Sequence, residues 1–84
     1  MNDLEIVMAF VTAVVKAKET GRFGEYHLNL LSEQVRYLGE ILKITFGKPG
    51  YSDLARASWV IKEMEEDLGK RRMNTGMAGE RSRA

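Results

Sequence analysis

The residues of this chain that could do chemistry are few, and they do not stand in a catalytic pattern. His27 is the only histidine. The serines and threonines that could serve it as nucleophiles lack the glycine-flanked setting of a nucleophile elbow. A histidine next to Tyr26 near the start of a helix is typical of a hydrogen-bonded structural side chain. We therefore expect no catalytic residue and a protein that is not an enzyme.

Carboxylates cluster in one predicted helix, where Glu63, Glu66 and Asp67 share a face. This spacing suits a divalent cation, which takes several oxygen ligands. However, Glu66 and Asp67 also stand four residues before Lys70 and Arg71, the favourable order for ion pairs along a helix. The chain has no cysteine and no Glu-x-x-His pair. The sequence therefore predicts an acidic helix face, no metal site and no cofactor.

Two glycine-spaced turns and a basic C-terminal segment are the features that could contact phosphate. The pattern G-x-x-G occurs at residues 21–24 and 47–50. In KH domains this loop belongs to a mixed α/β fold, which the sequence does not predict, so we interpret both as turns that end helices. Residues 70–84 hold five Lys or Arg against one acidic residue. They are predicted to form a flexible basic tail, with salt-sensitive nucleic-acid binding as one open hypothesis.

The three predicted helices form one all-α domain over residues 1–69. Asn2 or Asp3 is expected to cap the first helix, which should end at Gly21. The second should span residues 25–46, and the third should follow Ser52 and end at Gly69. The short connection after the first helix predicts an antiparallel helical hairpin, with the third helix packed across it.

Apolar residues recur at helical spacing in the second and third predicted helices. In the second helix the expected core seam is Leu28, Leu31, Val35, Leu38 and Leu42, beside a second apolar stripe of Leu30, Tyr37, Ile41 and Ile44. In the third helix the expected seam is Leu54, Ala57, Ile61, Met64 and Leu68. These seams predict the faces that meet in the core.

The first predicted helix contains the most apolar run of the chain, residues 4–15. This run is roughly half of the about 20 residues that a membrane span needs. It also lacks the basic start and the small-residue cleavage site of a secretory signal. We therefore expect a soluble cytoplasmic protein that does not contact membranes.

The same run is apolar around most of the helix, and such a helix must be buried almost all round. In a chain of 84 residues, two partner helices offer little cover. The sequence therefore predicts a homo-oligomer, with a homodimer as the first expectation. The residues expected to join the copies are Ile6, Met8, Phe10, Ala13 and Val14.

Trp59 is the residue that most suggests a partner protein, because it points away from the apolar seam of its own helix. The residues expected to surround it are Ala55, Lys62, Glu63 and Glu66. A tryptophan in a ring of polar residues is typical of an interface hot spot, although it can also lie flat on the surface. The leading hypothesis is a small regulator, adaptor or inhibitor, of the kind that phages and other mobile elements encode, which binds an unidentified protein.

Two other functions are compatible with the same sequence. A helical oligomer can bind a small ligand or nucleotide between its subunits, and the polar residues near the turns that would line such a site are Arg22, Tyr26, His27 and Lys48. The other alternative is nucleic-acid binding through the basic tail.

Overall fold

The computed structural model describes the backbone of residues 2–83 and the side chains of residues 2–71. This part of the chain consists of three α-helices: α1 (Asp3–Thr20), α2 (Glu25–Ile41) and α3 (Tyr51–Arg83). It contains no strand. The predicted all-α class with three helices is confirmed.

α3 is the helix that holds the other two together. α1 and α2 both pack against it, whereas the backbones of α1 and α2 approach each other at few points. α1 runs parallel to α3, because Val7 lies beside Gly50 at the start of α3 and Lys18 pairs with Glu63 further along. α2 runs in the opposite direction. The first two helices therefore form the predicted antiparallel hairpin, and α3 packs along both of its arms.

The core consists of aliphatic side chains and one methionine, contributed by all three helices. Its buried members are Val7, Val11, Val14, Ala17, Leu28, Leu31, Leu38, Leu54, Ala57, Ile61 and Met64. On α1 these residues follow a spacing of three or four, so one face is covered by the rest of the chain. The outward positions of α1 include Ala9 and Ala13, whose side chains are small. A single copy can therefore cover most of the large apolar side chains of α1.

Local hydrogen bonds and backbone conformation explain where α1 begins and where α1 and α2 end. The Oδ1 atom of Asn2 accepts a hydrogen bond of 2.8 Å from the Glu5 backbone, which confirms Asn2 as the cap of α1. Gly21 ends α1 in the left-handed conformation with φ 70°. α2 stops at Ile41 and does not continue to residue 46, because Lys43 adopts a left-handed φ of 54°. The sequence did not indicate this stop, since glycine usually occupies such a position.

α3 begins at Tyr51 and passes Gly69, the predicted end, before it stops at Arg83. The boundary drawn between residues 69 and 70 therefore lies inside this helix. The side chains of residues 72–84 lie outside the described part of the chain, so the predicted flexibility of the tail stays a prediction. In the part that is described, no helix is both long enough and apolar enough to cross a membrane.

Candidate protein-binding surfaces

Most of the aromatic side chains lie on the surface of this fold. The chain has one tryptophan, three tyrosines and three phenylalanines, and five of these seven are exposed: Tyr26, Tyr37, Phe46, Tyr51 and Trp59. The other two, Phe10 and Phe23, are half-buried at the edge of the core. Aromatic side chains usually supply much of the buried area of a small domain. Their surface placement here leaves several faces of the fold with an exposed aromatic ring.

Trp59 lies on the outer face of α3, where 62% of its surface is exposed. Helical spacing places it on the side opposite the buried Ile61. Ala55, Lys62 and Glu66 are exposed around it on the same face. The structure thus brings four of the five predicted partner-binding residues onto one open surface.

Glu63, the fifth of these residues, is partly committed to the fold itself. Its Oε1 atom lies 2.8 Å from the Nζ atom of Lys18 on α1. Both side chains remain more than a third exposed, so the ion pair contributes little to stability. The pair does hold Glu63 toward α1, at the edge of the Trp59 surface.

The five residues predicted to join two copies do not lie on one face of α1. Val14 is fully buried in the core of a single copy, so it is not available to contact another copy. Ile6 and Phe10 are half-buried, and only Met8 and Ala13 are exposed. At 100° per residue, Met8 and Ala13 lie on different sides of the helix. A role of the four remaining residues in self-association stays a prediction.

The four predicted ligand residues lie at opposite ends of α1. Arg22 and His27 line an open groove of about 710 Å³ between α1 and α2. Tyr26 is exposed at this end, outside the groove lining. Lys48 belongs to the turn at the other end, where its carbonyl accepts a hydrogen bond from the Tyr51 backbone. Because α1 has a length of about 27 Å, the structure does not bring these four residues into one site.

The acidic residues of α3 form ion pairs along and between helices. Of the two ion pairs that the spacing suggested, the one between Asp67 and Arg71 is present, since Asp67 Oδ2 lies 2.8 Å from Arg71 Nη2. Over the side chains that the structure describes, no three residues of metal-binding type lie close enough together to hold an ion.

A surface on α2 was only partly recognised in the sequence. Leu30, Tyr37 and Ile41 belong to the second apolar stripe that the spacing predicted, and all three are exposed. Tyr26 joins the same stripe, although the sequence assigned it to a ligand site. The fourth predicted member, Ile44, is partly buried and packs against the core, because α2 ends before it.

The turn between α2 and α3 presents an aromatic pair that the sequence did not indicate. The ring of Phe46 lies edge-on to that of Tyr51, with 5.4 Å between the ring centres. Phe46 was expected inside the second helix. Because α2 stops early, it lies on the turn instead and is highly exposed.

No family model matches this sequence, and no solved structure matches it either. The exposed surfaces are therefore the basis on which a function can be proposed.

Proposed function

We propose that this protein is a small non-enzymatic binding module that acts as an adaptor, regulator or inhibitor of another protein. The observation that carries the proposal is the exposure of five of the seven aromatic side chains, while the core is aliphatic. Aromatic residues, and tryptophan above all, are enriched in interface hot spots. Exposing them costs solubility, so a bound state that covers them is the simplest reason to keep them on the surface.

The surface around Trp59 is our candidate for the contact with the partner. Its centre is one large apolar side chain, and Lys62 and Glu66 supply opposite charges at the rim. An apolar centre with a polar rim is the usual composition of a protein interface. The partner is expected to offer an apolar cleft for the indole, with an acidic group near Lys62 and a basic group near Glu66.

Affinity capture from the native host, with the tagged full chain as bait, tests this proposal. Trp59→Ala is expected to lose the partner while keeping its helical circular dichroism signal. Phe46→Ala is the matched control, because it removes another exposed aromatic ring from a different surface. If Trp59→Ala retains the partner as well as the wild type does, the Trp59 surface is not the contact.

A second candidate function rests on the groove between α1 and α2. Lys16, Arg22 and His27 line it together, so it is suited to a small anionic ligand such as a nucleotide. Thermal unfolding in the presence of a nucleotide panel tests this alternative. A ligand that binds should raise the melting temperature of the wild type, and Arg22→Ala should abolish the rise. A flat response across the panel would contradict it.

A further inference from the structure

The outward face of α2 carries a stripe of four large apolar side chains. The exposed fractions of Tyr26, Leu30, Tyr37 and Ile41 are 77%, 45%, 57% and 58%. We call these four residues the α2 stripe. The residues of α2 that line its crevices with α3 include Leu28, Asn29, Ser32, Val35 and Gly39. Helical spacing places the stripe on the opposite side of α2, where α3 does not obstruct access to it.

The α2 stripe is symmetric about its own midpoint. Leu30 and Tyr37 lie at equal distances along the helix from the point between Glu33 and Gln34, and so do Tyr26 and Ile41. A second copy of α2, turned antiparallel about a two-fold axis at this point, would place Leu30 against Tyr37 and Tyr26 against Ile41. A two-fold interface between identical copies requires a surface that matches itself in this way, whereas binding to an unrelated partner does not require it.

Charges beside the α2 stripe fit the same arrangement. Glu33 and Arg36 are both exposed on one flank of the stripe. The two-fold operation brings the two Glu33 residues next to each other at the axis. It also places Arg36 of each copy within one helical turn of Glu33 of the second copy, so the two basic groups offset the repulsion between the two carboxylates. It also brings the hydroxyl of Tyr26 level with the carboxylate of Glu40 of the second copy, which can accept its hydrogen bond.

The exposed face of α1 offers no comparable match. Its large exposed apolar side chains are Leu4 and Met8, which both lie near the start of the helix. The rest of the outward face consists of polar or small residues, including Glu5, Thr12 and Ala13. The contact between copies is therefore better placed on α2 than on the α1 residues that the sequence suggested.

We propose that two copies of this chain associate through the α2 stripe, with their α2 helices antiparallel about a two-fold axis between Glu33 and Gln34. Trp59 lies on α3 and stays exposed in this dimer. The inference is therefore independent of the proposed partner contact, and either can fail without the other.

Solution mass over a concentration series is the first test. The full chain is expected at twice its monomer mass of 9.5 kDa. Leu30→Glu places a carboxylate in the stripe and is expected to weaken association at least tenfold. Arg36→Glu leaves the four apolar side chains in place and should weaken association, because it removes the positive charges that offset the two Glu33 carboxylates at the axis. Trp59→Ala should leave the dimer intact. Circular dichroism shows whether each variant keeps its helices.

Site-specific cross-linking tests the orientation of the helices. Because the chain has no native cysteine, only the introduced thiol can react. Gln34→Cys, next to the axis, should form a covalent dimer with a short thiol-reactive linker. Leu30→Cys alone should not, but it should cross-link when mixed with Tyr37→Cys. Lys62→Cys on α3 is the control that should stay uncross-linked.

Four outcomes would overturn the proposal. The first is a monomer at every concentration. The second is a dimer that Leu30→Glu and Arg36→Glu leave unchanged, which would place the contact elsewhere. The third is efficient cross-linking of Leu30→Cys to itself, which would indicate parallel helices. Loss of the dimer in Trp59→Ala would likewise show that α3 and not α2 forms the contact.

Discussion

The guanidinium group of Arg71 lies over the ring of Phe23, with 4.6 Å between its Cζ atom and the ring centre. The same side chain donates a hydrogen bond of 3.3 Å to the carbonyl of Gly21 and forms an ion pair with Asp67. Phe23 and Gly21 belong to the turn between α1 and α2, whereas Arg71 belongs to α3. Arg71, which was predicted to belong to the flexible basic tail, therefore connects the turn of the hairpin to the third helix.

Arg71→Ala is expected to lower the free energy of unfolding by about 1 kcal/mol, because an exposed cation–π contact and an exposed ion pair each contribute a fraction of that amount. Arg71→Lys should recover part of the loss, since it keeps the charge but not the planar group that stacks on the ring. Lys70→Ala is the matched control. Urea unfolding followed by circular dichroism measures all three. An equal loss in both alanine variants would mean that Arg71 acts only through net charge.

The turns after α1 and α2 allow a reciprocal pair of substitutions. Gly21 has φ 70° and Lys43 has φ 54°, so both are left-handed. Gly21→Ala is expected to lower stability by about 1 kcal/mol, whereas Lys43→Gly should raise it by up to about 1 kcal/mol. A β-branched residue is more strained in this region, so Lys43→Val should be destabilising. Thermal unfolding of the three variants checks these signs. Destabilisation by Lys43→Gly would show that the lysine side chain itself stabilises the turn.

Substitutions at Val14 and Met8 distinguish the buried face of α1 from its exposed face. Val14 is fully buried, so Val14→Ala leaves a cavity and is expected to cost about 2 kcal/mol. Met8 is partly exposed, so Met8→Ala should cost under about 1 kcal/mol. If two copies associate through α2, neither change should alter the mass of the oligomer, provided that the variants are compared under conditions in which both are folded. A loss of self-association in Met8→Ala would return the contact to α1.

The helical class and the core positions of α2 and α3 could be predicted from the spacing of the apolar residues within these helices. The antiparallel hairpin could be predicted from the short connection between α1 and α2. The ends of the helices were harder to predict. Lys43 in a left-handed conformation ends α2, but no glycine or proline stands there to indicate it. Gly69 was expected to end α3, but a glycine inside a helix costs only about 1 kcal/mol relative to alanine, and α3 continues through it.

The candidate surfaces could be predicted only where a single helix determines them. The outward direction of Trp59 follows from the spacing of α3 alone, and the structure places it as expected. The separation of Lys48 from Arg22 depends on how the helices are connected in space, which spacing within one helix does not report. The predicted α1 contact included Val14, which is buried within a single copy, because the spacing of one helix does not show which of its apolar sides the other two helices cover.

The ion pair between Lys18 and Glu63 predicts a small and salt-sensitive link between α1 and α3. A double-mutant cycle with Lys18→Ala and Glu63→Ala is expected to give a coupling of about 0.2–1 kcal/mol, as for exposed pairs in general. In 1 M salt, where screening acts over about 3 Å, this coupling should fall. Because Glu63 is held toward α1, Glu63→Ala should weaken partner capture less than Glu66→Ala does. Equal losses would place both carboxylates in the contact, and the link to Lys18 would then have to open when the partner binds.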